Sequence, residues 1–392
     1  MSTSEIKAPP CQNCGHARVK VLTQAGKQIE RTTTTSDYQS LNVDLASRRL
    51  CIRCGCIDII YQPDTALMEH FSSNYDLSDT VQDNLVVVDN QAVTKRSIVN
   101  RQLFDSLAGR NIESSTHCLE IASGKGGLIR KISAQYPNWD CFGVDPAPIP
   151  SNSDGVTFVC DFFARGLFEA ATFEVVIAHG VLNRTPPFKL LSDINQVSKI
   201  GALVSLEVMM LESADTCPHI WDHPFMFLDD TFKSYLASAG FKLDVATNSG
   251  SSMHLLCTKV GEITTEQAPP LPPQQVEHTN NVFQSFVSLW ENSLSRMNDL
   301  LNCSEEDVRP LLFGAGMYSA VVLGQFSPSR FSAVIDDVKS GGRFHGLPII
   351  SADDPLARDT VVALVCRPSY GAVVCQRLNE GGVKFIDMHK LE

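Results

Sequence analysis

The residues best placed to do chemistry stand in HCLEIASGKGG, from His117 to Gly127. An apolar run through Cys118, Leu119 and Ile121 breaks into Ser123-Gly124-Lys125-Gly126-Gly127, and a helical run over 128–136 follows at once. Glycines at a strand-to-helix turn let main-chain N–H groups face a ligand with no Cβ in the way. About twenty residues on, a second apolar run, Cys141–Val144, ends at Asp145-Pro146, and an acid so spaced can take the two hydroxyls of a ribose. Glu120 stands ahead of the glycines, where an acid repels a pyrophosphate and suits a cationic ligand. The competing reading of this stretch is tight helix–strand packing with no ligand at all.

Four cysteines form a second group. Cys11-Gln-Asn-Cys14-Gly and Cys51-Ile-Arg-Cys54-Gly each put two thiolates on one tight turn. Two such knuckles supply a tetrahedral S₄ set, the geometry of structural Zn²⁺, closed to substrate and so a folding element. The gap between them predicts an inserted hairpin over Gln28–Asp44, and Cys56 is either a spare thiol or a ligand. Two unrelated cysteine pairs are the alternative. The other cysteines, of 13 in all, lie mostly in apolar runs, which suits reduced core residues in a cytoplasmic protein.

The elements that must position these groups alternate. Val156–Val159 reads as a strand ending at Asp161-Phe162-Phe163, where the acid can accept from an adenine amino group and Phe162 can cover the ring. A helix N-cap at Asp161 is the equal alternative. Phe173–Ala178 is a buried strand delivering His179 to the carboxyl edge of the sheet, beside the glycine turn. A helix over Phe188–Ile200, a strand over Leu203–Val208, a helix over Phe232–Ala239 and an antiparallel pair, Phe241–Val245 with Met253–Lys259, follow. A helix over Thr94–Leu107 leads into the central strand, and a short helix is expected between Tyr61 and Asn74. This alternation predicts an α/β fold with a doubly wound, largely parallel sheet.

The expected domains are 1–75, a zinc-binding module, and 76–260, the nucleoside-binding sheet. A Pro-rich spacer without regular structure, 261–280, precedes 281–392, a second Rossmann-like α/β domain. In that last domain Val308–Phe313 runs into Gly314-Ala315-Gly316, and Ala333–Asp336 is again a strand ending in an acid. The chain has 392 residues and a formal charge of −12 with no basic block, which argues against a nucleic-acid partner. No apolar run reaches membrane-spanning length, and the first residues lack the apolar core of a signal peptide.

The pattern E-x-x-x-G-x-G at Glu120–Gly126 resembles motif I of the class I methyltransferases that use S-adenosylmethionine, whose sulfonium and ammonium are both positive. Ala122 stands where that family usually has its first glycine. The whole chain resembles the three-domain, zinc-containing C-methyltransferases acting on nucleotide-linked deoxysugars. The matching parts are the two knuckles, FSSNYDLS (71–78), LEIASGKGGL (119–128), FGVDPAP (142–148), CDFF (160–163) and VVIAHGVLNRTPP (175–187). WDHPFMF (221–227), SLWENSLSRMNDLL (288–301) and FGAGMYSA (313–320) complete the series.

This resemblance implies S-adenosylmethionine held by Glu120, Ala122, Ser123, Gly124, Gly126, Asp145, Pro146, Asp161, Phe162 and His179. It implies a sugar nucleotide enclosed by the outer domains, with His223 as general base, Asp222 beside it and Tyr75 nearby. Trp221, Arg184 and Met209 replace a polar residue, a His and a Pro of the family pattern, changes that bear on substrate identity. Methylating carbon needs a base to remove a proton made acidic by a neighbouring ketone, and a near-neutral His suits that role. A His before Pro224 can equally be structural. An O- or N-methyltransferase and a zinc-bearing binding protein with an inactive fold are the other readings; oligomeric state is open.

Overall fold

The apolar runs pair into a seven-stranded sheet whose central strands are buried on both faces, while the edge strands are partly exposed. Its strands are β8 (His117–Ile121), β9 (Asp140–Val144), β10 (Val156–Val159), β11 (Phe173–His179), β12 (Ser198–Val208), β13 (Phe241–Asn248) and β14 (Met253–Lys259). This is a computed structural model; its described residues are 10–22, 27–31, 40–44, 48–59, 85–88, 91–110, 115–147, 155–213, 223–248, 252–263, 265–303, 309–337, 339–364 and 368–388. The chain divides into two units, one of 1–23, 47–213 and 222–280, the other of 24–46, 214–221 and 281–392.

In the first unit the strand order is β10-β9-β8-β11-β12-β14-β13. β8 to β12 are parallel, and β14 runs antiparallel between β12 and β13. The order reverses between β8 and β11, and the crevice outside the strand ends at such a switch point is where open α/β sheets bind ligands. Alternation along the strands supplies two cores. Cys118, Val175, Ile177 and Leu203 face α1 (Lys95–Ala108) and α2 (Gly127–Gln135). Leu119, Ile121, Val176 and Leu206 face α3 (Pro187–Val197) and α4 (Asp229–Ser238), in one cluster with Cys11, Cys14, Cys51 and Cys54.

Ahead of this sheet lie β1 (Val19–Val21), β2 (Lys27–Arg31), β3 (Ser40–Asp44), β4 (Arg48–Cys51), β5 (Ile57–Ile59) and a hairpin of β6 (Leu85–Val88) with β7 (Gln91–Thr94). β1, β4 and β5 form one small antiparallel sheet. The hairpin expected between the knuckles is present as β2 and β3, and it belongs to the second unit. The helix expected between Tyr61 and Asn74 lies outside the described residues.

Some elements differ from expectation. α3 stops at Val197, where Ser198 Oγ bonds Ile194 O at 2.7 Å, and β12 starts at once, its Lys199 paired with Glu174. The expected spacer is not structureless. Residues 267–271 are tied to the second knuckle, Leu271 N donating to Arg53 O at 2.7 Å and Arg53 Nη1 to Gln267 Oε1 at 2.8 Å. A helix, α5 (Pro273–Cys303), then begins at a proline, a residue pre-set for the first helical position, and runs across the boundary at 280/281. Asp161 caps no helix: turns follow it, and its Oδ1 takes the N–H of Phe162 at 2.7 Å.

The second unit is built on a six-stranded sheet of β15 (Leu311–Phe313), β16 (Val334–Ile335), β17 (Arg343–Phe344), β18 (Leu347–Ile350), β19 (Val362–Leu364) and β20 (Phe385–Asp387). Its order is β17-β18-β16-β15-β19-β20, all parallel except β17. α6 (Met317–Gln325), α7 (Pro355–Asp359) and α8 (Pro368–Glu380) alternate with these strands. Among the described residues no helix is long and apolar enough to cross a membrane.

Candidate functional site

The glycine turn leaves β8 through three left-handed residues, Ala122 (φ 57°), Gly124 (φ 56°) and Gly126 (φ 79°). Ala122 therefore holds a conformation that L-residues adopt at a cost of about 1–2 kcal/mol. Gly126 has a packing reason to be glycine, since a Cβ there meets Phe158 Cζ at 2.3 Å. Asp145, at the end of β9, closes the turn: its Oδ2 accepts from Gly124 N at 2.9 Å and its Oδ1 from Ala147 N at 2.8 Å. Each carboxylate oxygen retains a second lone pair for a ligand hydroxyl. Beside it, the buried Ser123 Oγ has no hydrogen-bond partner among the described residues.

Glu120 does not lie open to the turn. It is 7% exposed and its Oε2 accepts from Ile129 N, in the first turn of α2, at 3.0 Å. Burial pushes its carboxyl up to about 8, opposed by that N–H and by Arg96, with Asp145 adding to the rise. Pro146 follows Asp145, with its carbonyl and that of Ala147 3.7 and 3.6 Å from Cys160 Sγ. At the end of β10, Asp161 is exposed and the Phe162 ring is 54% exposed. An open ring beside an open acid suits the adenine role.

His179 ends β11 next to Ala122, since Ala178 pairs with Ile121. It is the outer member of a chain of hydrogen bonds through the sheet. His179 Nε2 and His254 Nε2 each lie 2.8 Å from Ser205 Oγ, and His254 Nδ1 lies 2.7 Å from Gln102 Oε1. An Nδ1–H donated to Gln102 makes His254 Nε2 the acceptor, so Ser205 donates inward and accepts from His179 Nε2–H. Burial, with His179 adding, lowers His254 to about 3 and keeps it neutral.

Asn183, which follows β11, ties the segment that carries His223 to the strand ends. Asn183 Nδ2 donates to Met209 O at 2.9 Å and to Phe225 O at 3.0 Å. Its Oδ1 accepts from Met209 N at 2.8 Å, and its main-chain O from Phe225 N at 3.1 Å. One side chain thus staples the ends of β11 and β12 to the segment carrying His223, which is itself buried. Asp222 and Tyr75 lie outside the described residues.

The cysteines come together as two matched turns. Gly15 N and Gly55 N donate to Cys11 O and Cys51 O at 2.8 and 3.0 Å, each glycine at positive φ (70° and 69°). All four sulfurs lie within 4.8 Å of one another, with Cys14–Cys51 at 3.5 Å and Cys11–Cys54 at 3.8 Å. Sulfurs about 2.3 Å from a tetrahedral zinc are about 3.8 Å apart, so the set fits that ion. Cys56 stands outside it, buried, with its Sγ directed to Ile57 O. Asn13 bridges outward, its Nδ2 3.9 Å from Cys54 Sγ and its Oδ1 accepting from Phe188 N at 2.8 Å. Tyr235 OH donates to Cys54 O at 2.7 Å.

Glu120, Ala122, Ser123, Gly124, Gly126, Asp145, Pro146, Asp161, Phe162 and His179 therefore share one sheet edge, and Asn183 ties the His223 segment to it. Ser205, His254 and Gln102 were not anticipated as parts of it. Ser205 and His254 carry a readable signal, as polar residues at inward positions of the apolar strands LVSLEV and MHLLCTK.

This strand order, with its penultimate strand antiparallel, is that of the class I methyltransferase sheet, here joined to a cysteine cluster and a second Rossmann-like unit. No protein-family model matches the chain, and no curated protein does. Among solved structures it is similar to the Burkholderia thailandensis 1,6-didemethyltoxoflavin-N1-methyltransferase with bound 1,6-didemethyltoxoflavin and S-adenosylhomocysteine. That match has 14% identity and a TM-score of 0.40, covering 60% of this chain and 100% of the other. It is also similar to an Aquifex aeolicus SAM-dependent methyltransferase (12% identity, TM-score 0.35, 51% and 100% covered). A third is the CurJ carbon methyltransferase (15% identity, TM-score 0.34, 42% and 54% covered). Likeness at this level assigns no activity, substrate or cofactor to this chain.

Proposed function

We propose that the chain is an S-adenosylmethionine-dependent methyltransferase acting on a carbon next to a ketone in a nucleotide-linked sugar. The observation that carries the reading is the crowding of complementary groups at the switch point of the first unit's sheet. Ser123 offers an unpartnered buried hydroxyl, Asp145 spare lone pairs, and Asp161 with Phe162 an open acid and ring. A bound S-adenosylmethionine supplies an activated methyl group on a cationic sulfur. Asp145 holds the ribose, Asp161 and Phe162 the adenine, and His179 and the Ala122–Ser123 turn line the methionine side.

His223 removes the proton from the acceptor carbon, with Asp222 biasing its protonation. Asn183 keeps that imidazole's segment at the strand ends, and positioning of this kind supplies a large part of a barrier reduction. The four knuckle cysteines hold Zn²⁺ as a structural ion. The sugar-nucleotide acceptor rests on the succession of motifs along the chain.

The test uses a panel of nucleotide-linked ketosugars in D₂O. The wild type should wash out the hydrogen next to the ketone and, with S-adenosylmethionine, yield a C-methylated product. His223→Gln should slow both by about 10²–10⁴-fold, the usual loss of a general base, with cofactor affinity kept. An ether or methylamine product sinks the carbon assignment. A folded His223→Gln variant that exchanges at the wild-type rate removes His223 as the base.

A further inference from the structure

Arg48 is 1% exposed, in the first position of β4, and a guanidinium so deeply buried is costly unless its donors are used. Its Nη1 donates to two successive carbonyls, His223 O at 3.0 Å and Pro224 O at 2.8 Å. Two residues further, the same hairpin grips the segment again. Ile57 N donates to Met226 O and Met226 N to Ile57 O, both at 2.9 Å. From the other side Asn183 holds Phe225 through both its N–H and its carbonyl. Four consecutive residues, starting at the imidazole, are therefore fixed between two elements, and Pro224 lies within the grip.

The gripping hairpin is itself rigid. Arg49 pairs with Asp58 across β4 and β5, Asp58 Oδ2 accepts from Gln12 N at 3.0 Å, and Arg49 Nη2 donates to Pro10 O at 2.9 Å. Cys51 and Cys54 stand at the turn of this hairpin, so the cysteine cluster and the clamp are one piece of structure.

We propose that Arg48 is a positioning residue for His223, fixing the imidazole's main chain from the cysteine-bearing hairpin; its catalytic consequence rests on the reading of His223 as the base. Asp145 and the glycine turn stand on other elements than Arg48, so cofactor affinity should survive its substitution.

Arg48→Met keeps the length of the side chain and removes every donor; Arg48→Lys returns one cationic donor. Both are compared with the wild type for bound zinc, S-adenosylmethionine affinity, amide hydrogen exchange and hydrogen washout from a ketosugar nucleotide. In Arg48→Met we expect zinc and cofactor affinity to stay within about twofold. The Phe225 and Met226 amides should exchange at least about tenfold faster. Washout should fall in kcat by about 10²-fold with KM unchanged, the loss typical of a catalytic group displaced by about 1 Å. Arg48→Lys should restore part of both, an ordering that a general packing role does not give. If Arg48→Met does not fold, Arg48→Lys against wild type is read the same way. Wild-type amide exchange and kcat in a folded, zinc-replete variant overturn the proposal. If His223→Gln keeps its kcat, the base reading fails on its own, and the amide exchange still decides the clamp.

Discussion

Each unit carries a strand running into a glycine turn that an acid from the next strand closes. In the first, Gly124 N donates to Asp145 Oδ2; in the second, Ala315 N donates to Asp336 Oδ2; both bonds are 2.9 Å and both span 21 residues. The second oxygen also takes a main-chain N–H in each, Ala147 at 2.8 Å and Lys339 at 3.1 Å. The shared geometry teaches that a spaced acid first serves to buckle the turn, so the spacing alone does not announce a ligand. What differs is the charge around it. Glu120 lies two residues before the left-handed Ala122, and the buried Leu312 lies two before the left-handed Gly314. In the second unit Lys339 Nζ also bonds Ala315 O at 2.6 Å, so a cation of the chain already sits on that turn. The second turn thus carries a cation of the chain, whereas the first has beside it a buried carboxyl that burial holds largely protonated.

The largest expected effect concerns the cysteine cluster of the first unit. Cys54→Ala removes a buried thiol from a cluster sharing one core with α3, α4 and the sheet. Structural zinc contributes on the order of 10 kcal/mol to folding, comparable to a whole domain's stability. Metal analysis should find one zinc per wild-type chain and none in Cys54→Ala, whose first unit should lose cooperative unfolding. A wild type with less than ~0.2 equivalents that still melts cooperatively ends the zinc assignment.

Next is Glu120→Gln, which replaces the buried carboxyl ahead of the first turn by a group that cannot ionise. Glu120 is raised from 4.5 to about 8, so its contribution is full below about 4.5 and is lost as pH rises through about 8. The Gln variant keeps an acceptor for Ile129 N and has nothing to ionise. Relative to wild type it should gain up to about 1.4 kcal/mol per pH unit across that window in denaturant titrations. His254, lowered to about 3, tilts stability the other way, its share present above about 6.5 and lost as pH falls towards 3; both proteins contain it, so the difference isolates Glu120. Parallel pH profiles would mean the carboxyl is ionised in the fold. Weaker cofactor binding despite the added stability is the signature of a role toward the cationic ligand.

The third test separates buckling from binding. Asp145→Ala and Asp336→Ala should each cost roughly 1.5–3 kcal/mol of stability, the range for hydrogen bonds to a charged group. Only Asp145→Ala should also weaken S-adenosylmethionine, by about tenfold or more in calorimetry. Equal cofactor loss from both variants would erase the distinction between the turns.

Much of this frame was legible in the sequence because two-sided burial writes itself as continuous apolar runs. Met253–Lys259 begins and ends where the residues indicate, and the knuckles and their intervening hairpin follow from cysteine spacing. Local pattern failed where a residue has two uses. Pro272-Pro273 reads as a breaker, yet proline also starts helices, and here it starts α5. Ser198 ends one element and opens the next without a spacer. Contacts such as Arg48 on His223, 175 residues apart, leave no periodic trace at either end, so the clamp on the proposed base was invisible until the chain was folded.

The smallest effect comes from exchanging the one residue type that distinguishes the two backbones. Both turns leave their strand through a left-handed residue, Ala122 at φ 57° in the first unit and Gly314 at φ 87° in the second. Ala122→Gly removes a strain of about 1–2 kcal/mol but adds about 0.5–1 kcal/mol of unfolded-chain entropy, so the net gain should lie between about 0 and 1.5 kcal/mol. Gly314→Ala reverses those signs. Its Cβ would enter open space, so only backbone strain opposes it, and a loss between about 0 and 1.5 kcal/mol is expected. Paired denaturant titrations should show shifts of opposite sign and similar size. Should Ala122→Gly instead destabilise the first unit or weaken S-adenosylmethionine, the methyl group at 122 is a packing or ligand contact, and the two turns differ in more than charge.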